Sequence, residues 1–120
     1  MALPLLFNAS NGMKNIMLSI GQLIKIGRIN KGLSQEDIAS KLEVTKNYIS
    51  LVENNRKDPS INFLRGVAKL LDIPVILLIW EKMDLPKGKT DSEKKINSQL
   101  EKMLEEAQQL FAQRALGVKK

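Results

Sequence analysis

The chain has 120 residues, with 19 basic against 13 acidic side chains and no cysteine or histidine. That excludes a disulfide framework and any thiolate or imidazole metal site, removes the usual general base, and leaves a net charge of +6 that favours polyanionic partners. Aromatic residues make up only 4%, so the core must be aliphatic, and the length suits one domain with an appended element.

Residues 1–18 (MALPLLFNASNGMKNIML) read as an N-terminal arm. The apolar run Ala2 to Phe7 has no basic start and is too brief for a signal-peptide core. Lys14 is the one feature favouring an arm that reaches DNA or a partner over a loose one, and Met13 and Met17 are alternative starts. A first helix is expected from Ser19 to about Lys31. Ser19 and Gln22 have the spacing of a capping box, Ile20, Leu23, Ile24 and Ile29 supply apolar positions, and Gly32 suits a C-terminal stop. Gly27 inside it weakens the helix by about 1 kcal/mol relative to alanine.

The stretch Leu33 to Glu53, LSQEDIASKLEVTKNYISLVE, predicts two short helices joined by a tight turn. Ser34 and Asp37 have capping-box spacing, and Ile38, Ala39 and Leu42 then fall on one face. Thr45 caps the second helix, which puts Ile49 and Val52 inward. Val44 can pack beneath the turn, and the small Ala39 lets two steeply crossing backbones approach. Lys46, Asn47, Tyr48, Ser50 and Leu51 stay outside on the second helix. They are donors, one aromatic and one apolar residue with no acid among them, a face able to read base edges.

Asn54 or Asn55 can take the left-handed conformation that ends a helix. Ser60 can cap a fourth helix, with Ile61, Leu64, Val67, Ala68 and Leu71 inward. Asp72-Ile73-Pro74 then breaks the chain before a fifth helix, Val75 to about Lys82. Leu70 to Trp80 is the most apolar stretch, too short to span a bilayer. A helix apolar on nearly every side needs cover on more than one side. For Ile76, Ile79 and Trp80 that cover is either a second subunit or the chain's own C-terminal helix. Residues 83–91, with Pro86 and Gly88, form a linker. Over 92–116, Ile96, Leu100, Met103, Ala107 and Leu110 follow a 4-3-4-3 spacing, widened by Leu104 and Phe111. That length makes about 36 Å of helix, suited to packing between subunits or onto its own domain. Residues 117–120 are a basic tail.

Taken together, GLSQEDIA (Gly32 to Ala39), the YIS and VEN segments, the DPS turn and VAKLLDIP resemble the lambda-repressor-like (Cro/CI-type, XRE) helix-turn-helix family, from about Ile20 to Leu78. The resemblance implies an all-α protein, a five-helix DNA-binding domain over 19–82 followed by the long C-terminal amphipathic helix. It implies that Arg28 pairs with Glu53, an arrangement suited to the arginine fork. It also implies that Gln35 touches a phosphate and braces the recognition helix, and that Arg56 and Lys57 lie along the DNA backbone. Glu43 stands where the family favours glycine in a left-handed turn, at a cost of roughly 1–2 kcal/mol, and Gly27 where the family has a larger apolar residue.

The expected function is a sequence-specific transcriptional regulator, a repressor acting in the cytoplasm as a homodimer on double-stranded DNA, with its recognition helix (about Thr45 to Asn54) in the major groove. Lys46, Asn47, Ser50 and Leu51 are the expected base contacts, and Gln35, Thr45, Tyr48, Asn54, Arg56 and Lys57 the phosphate contacts. Ile76, Ile79, Trp80, Ile96, Leu100, Met103, Ala107 and Leu110 form the expected oligomer surface. The alternative is an antitoxin-like interaction module whose C-terminal helix binds a protein partner. No cofactor or metal is expected. An enzyme is disfavoured by the absence of a Gly-rich phosphate loop and of carboxylates at ligand spacing, since Glu101, Glu105 and Glu106 lie on a charge-rich helix.

Overall fold

The structure, a computed structural model, describes residues 18–83 and 88–117. The expected arm apart from Leu18, residues 84–87 of the linker and residues 118–120 of the tail lie outside the described residues. Among the described residues all regular structure is helical: α1 (Ile20–Asn30), α2 (Gln35–Leu42), α3 (Lys46–Glu53), α4 (Ile61–Leu71), α5 (Val75–Ile79), which runs into a 3-10 turn at Trp80–Lys82, and α6 (Asp91–Ala115).

Local chemistry sets these boundaries. The hydroxyls of Ser19, Ser34, Thr45, Ser60 and Thr90 each accept the backbone N–H three residues on, filling orphan donors at the starts of α1, α2, α3, α4 and α6. Ser19–Gln22, Ser34–Asp37 and Thr90–Glu93 are reciprocal capping boxes. Hydrogen bonds from the Ser34 backbone N–H and then its hydroxyl hold the Asp37 carboxyl below its usual range. That cap is therefore complete at neutral pH and is lost only as acidification passes the lowered value. Helix ends use left-handed residues: Gly32, Glu43, Asn55 and Asp72 have φ of 70°, 59°, 59° and 56°. After each, a backbone N–H reaches back five residues (Leu33 to Arg28, Val44 to Ala39, Arg56 to Leu51, Ile73 to Ala68), closing the helix with a Schellman bond. Glu43 takes the glycine-like conformation, so the turn between α2 and α3 is tight.

The core is aliphatic, with Leu23, Ile24, Ile38, Ile49, Leu64, Leu71 and Leu78 fully buried. Two expected inward positions are not: Ile29 is 53% exposed and Ile61 39%. Ile29 lies off the inward face because α1 turns Ile26 and Gly27 to its neighbours instead, and Ile61 sits in the first turn of α4, at the edge of the core. Gly27 has a packing reason: a Cβ there would stand 2.9 Å from Ile73 Cδ1.

α6 folds back over α1 and α5. Its inward side chains are Leu104, Gln108, Gln109 and Ala112, with Phe111 and Ala115 partly buried. Part of the second cover over α5 thus comes from the same chain, leaving Ile79 and Trp80 half-buried and Ile76 exposed. The 4-3-4-3 stripe is a different face: Ile96, Leu100, Met103, Ala107 and Leu110 all point to solvent. No side chain of α6 before Leu104 is buried.

The start of α1 rests on the end of α3. A Cβ on Gly21 would lie 2.4 Å from the Glu53 carbonyl oxygen and 2.6 Å from that of Val52. Helix propensity alone predicts that Gly21→Ala stabilises by about 1 kcal/mol. The contact predicts the reverse, a loss of roughly 1–3 kcal/mol from overpacking against backbone. Urea unfolding distinguishes the two signs.

Candidate nucleic-acid interface

α2 and α3 pack against each other, and the small Ala39 of α2 is buried at 4% exposure. Ile38, Ile49 and Val52 anchor the pair to the core, and Val44 packs partly beneath the turn. This fixes which side of α3 faces out. Lys46 and Asn47 are exposed, Ser50 and Leu51 are half-exposed beside them, and the capping Thr45 lies at the near end. Tyr48 is half-buried, its ring meeting Phe63 of α4 edge-on at 5.1 Å between centroids. It belongs partly to the packing of the domain as well as to its outer surface.

The far end of α3 is locked by one buried carboxylate. Glu53 is 6% exposed, yet both its oxygens are bonded. Arg28 Nε donates to Oε2 at 2.6 Å and Arg28 Nη2 to Oε1 at 3.1 Å, while Gln35 Nε2 donates to Oε1 at 3.0 Å. Arg28 Nη1 also donates to the Leu33 carbonyl at 3.0 Å. One carboxylate therefore ties α1, the loop before α2, the first turn of α2 and the end of α3 together.

Beyond α3 the chain turns through Asn54 and Asn55. The Asn54 side-chain amide donates back to the Ser50 carbonyl at 2.8 Å. Asn55, the left-handed residue, accepts the Gly21 N–H on Oδ1 at 3.2 Å and donates from Nδ2 to Ser19 Oγ at 3.0 Å. Asp58 pairs with Lys82, and Pro59 is buried. The loop is pinned at both ends, with Arg56 and Lys57 exposed between them. Its inner side and the start of α1 border a groove of about 610 Å³ lined by Ser19, Gln22, Asn55, Arg56, Lys57 and Glu81, among others.

The expected site residues thus sort into two neighbouring sets, the outer side of α3 and the basic loop after it, with Gln35 at their inner edge. Sequence reasoning missed the Asn55 clamp, the Gly21 contact and the Lys82–Asp58 pair. An asparagine could be read as a left-handed stop, but its partners lie 34 and 36 residues away. Among the described residues no group of acidic side chains could hold a metal ion.

Two short helices crossing at a tight turn, the second presenting donors outward beside a basic loop, define a helix-turn-helix DNA-binding domain. The comparisons agree. Residues 24–78 match the Helix-turn-helix family model. The chain is similar to the HTH-type transcriptional regulator SinR of Bacillus subtilis (strain 168), 38% identical over 89 residues that cover 73% of this chain and 76% of the relative. It is also similar to the SinR regulator of Bacillus licheniformis, 43% identical over 76 residues (62% of this chain, 68% of the relative). The Immunity repressor protein of Bacillus phage phi105 is 28% identical over 89 residues (74% and 62%). No solved structure matches the chain significantly. The chain belongs to the XRE (Cro/CI-type) family of helix-turn-helix transcriptional regulators, proteins that bind DNA and are not enzymes.

Removing one partner of the buried pair strands the other. Arg28→Met is expected to cost about 3–5 kcal/mol in urea unfolding, and Arg28→Met with Glu53→Leu to recover a large part of that loss. A single-variant cost below about 1 kcal/mol would show that the pair does not hold α3 in place.

Proposed function

We propose that this regulator is a repressor that places α3 in the major groove, as a homodimer on two half-sites about 34 Å apart. The observation that carries this reading is the outer side of α3: Lys46, Asn47, Ser50 and Leu51, free of acids, on a helix whose far end is fixed by the Glu53 lock. In this arrangement Lys46 donates to guanine O6 and N7, Asn47 pairs with adenine, and Leu51 meets a thymine methyl. α2 crosses the backbone, and the second amide N–H of Gln35 faces a phosphate. Thr45, Tyr48, Asn54, Arg56 and Lys57 contribute further phosphate contacts, which supply affinity and not sequence information. The similarity to a phage immunity repressor supports repression. Among the described residues no helix is long and apolar enough to cross a membrane, which is compatible with action on DNA in the cytoplasm.

The dimer is supported by α6. Ile96, Leu100, Met103 and Leu110 are exposed apolar residues at heptad-like spacing on a helix of 25 residues, about 37 Å long. The same stripe also suits a helix of a different protein, so its occupant decides between a self-contained repressor and one controlled by a partner.

Two measurements test this reading. Fluorescence anisotropy against DNA from upstream of the gene, with random duplex as competitor, should show competitor-resistant binding. Lys46→Ala with Asn47→Ala should abolish that discrimination while the thermal midpoint stays near wild type; equal loss on both DNAs would remove these residues from base reading. Leu100→Lys with Met103→Lys should halve the solution mass by light scattering. An unchanged mass would place the dimer contact elsewhere, and a monomeric wild type would transfer the stripe to a protein partner.

A further inference from the structure

A buried polar contact joins α6 to the DNA-binding half of the molecule. Gln108 is 1% exposed in a mainly apolar interface, with Gln109 the other buried amide beside it, and a buried amide is costly unless bonded. Its Oε1 accepts the Leu18 backbone N–H at 2.9 Å, across 90 residues of sequence. Leu18 is itself buried and immediately precedes Ser19. The Ser19 hydroxyl receives two donors, the Gln22 N–H at 3.0 Å and Asn55 Nδ2 at 3.0 Å. Asn55 also holds the Gly21 N–H and is the left-handed pivot from which Arg56 and Lys57 depart.

We propose that Gln108 and Asn55 are positioning residues for DNA-backbone contact: the chain Gln108–Leu18–Ser19–Asn55 sets the Arg56–Lys57 loop, so that docking of α6 on α1 tunes affinity for any duplex. This rests on the reading of Arg56 and Lys57 as phosphate contacts. Replacing either positioning residue by a neutral side chain leaves the charge of the protein unchanged. Fixing the Leu18 peptide fixes the Ser19 cap, and the cap holds the side chain that orients the loop. Asn55→Gly keeps the left-handed backbone and the Schellman bond while removing both side-chain bonds, so it loosens the loop without breaking the turn.

The test uses the full chain and a random-sequence duplex. Gln108→Met, Asn55→Gly and their double variant are titrated over a range of salt, well below each thermal midpoint, beside Arg56→Ala with Lys57→Ala. Each positioning variant should weaken binding roughly three- to tenfold, and the double should fall well short of the product of the singles because both act on one chain. Full additivity, or Gln108→Met binding as wild type while Asn55→Gly binds weakly, overturns the proposal. An unchanged salt slope in the Arg56, Lys57 variant instead overturns the phosphate reading beneath it. Should Gln108→Met not fold, the wild type answers by reciprocity: random duplex should slow hydrogen exchange at the Leu18 and Gly21 amides. Leu18 exchange indifferent to DNA sinks the coupling.

Discussion

The architecture depends on where the Glu53 carboxylate is placed. Its oxygens draw in Arg28 from the last turn of α1 and Gln35 from the first turn of α2. A charge this deeply buried persists only when its partners are complete, so the three helices must keep one mutual arrangement. The outer side of α3 inherits that rigidity. The exposed Lys46 and Asn47 are aimed by buried bonds at the opposite end of their helix.

Two glycines serve the same end by absence of a side chain. Gly21 lets the first turn of α1 sit against the Val52 and Glu53 carbonyls that end α3. Gly27 makes room for Ile73, which enters between α4 and α5. Both weaken α1 as an isolated helix. Tertiary contact compensates, and α1 becomes the element against which α3, α4, α5 and α6 all pack.

Most of the fold was legible because its signals are local. Ser19, Ser34, Thr45 and Ser60 announced helix starts within four residues, and the apolar faces of α2, α3 and α4 followed the helical period apart from the edge residue Ile61. The Arg28–Glu53 pairing came from resemblance, since nothing in the spacing of two residues 25 apart dictates contact. What stayed hidden were contacts between distant segments: Asn55 with Ser19 and Gly21, Lys82 with Asp58, and Leu18 with Gln108. α6 was the hardest to read because it has two apolar faces. The heptad-like stripe is the more regular and stays in solvent. The less regular face, Leu104, Phe111 and Ala112 with the polar Gln108 and Gln109, is the one that packs, and there the Gln108 side-chain oxygen accepts the Leu18 backbone N–H.

The capping residues also bear on how fast the chain can fold. With starts fixed by a hydroxyl three residues upstream of its donor and ends closed by bonds five residues long, α1 to α4 each carry their own limits before any tertiary contact forms. Little loop entropy must then be lost before native contacts begin to compensate, the circumstance in which small helical domains cross their barrier in microseconds to milliseconds. A newly made copy of such a regulator would spend little time as an open chain, with its aliphatic segments Leu70 to Ile79 exposed to other chains.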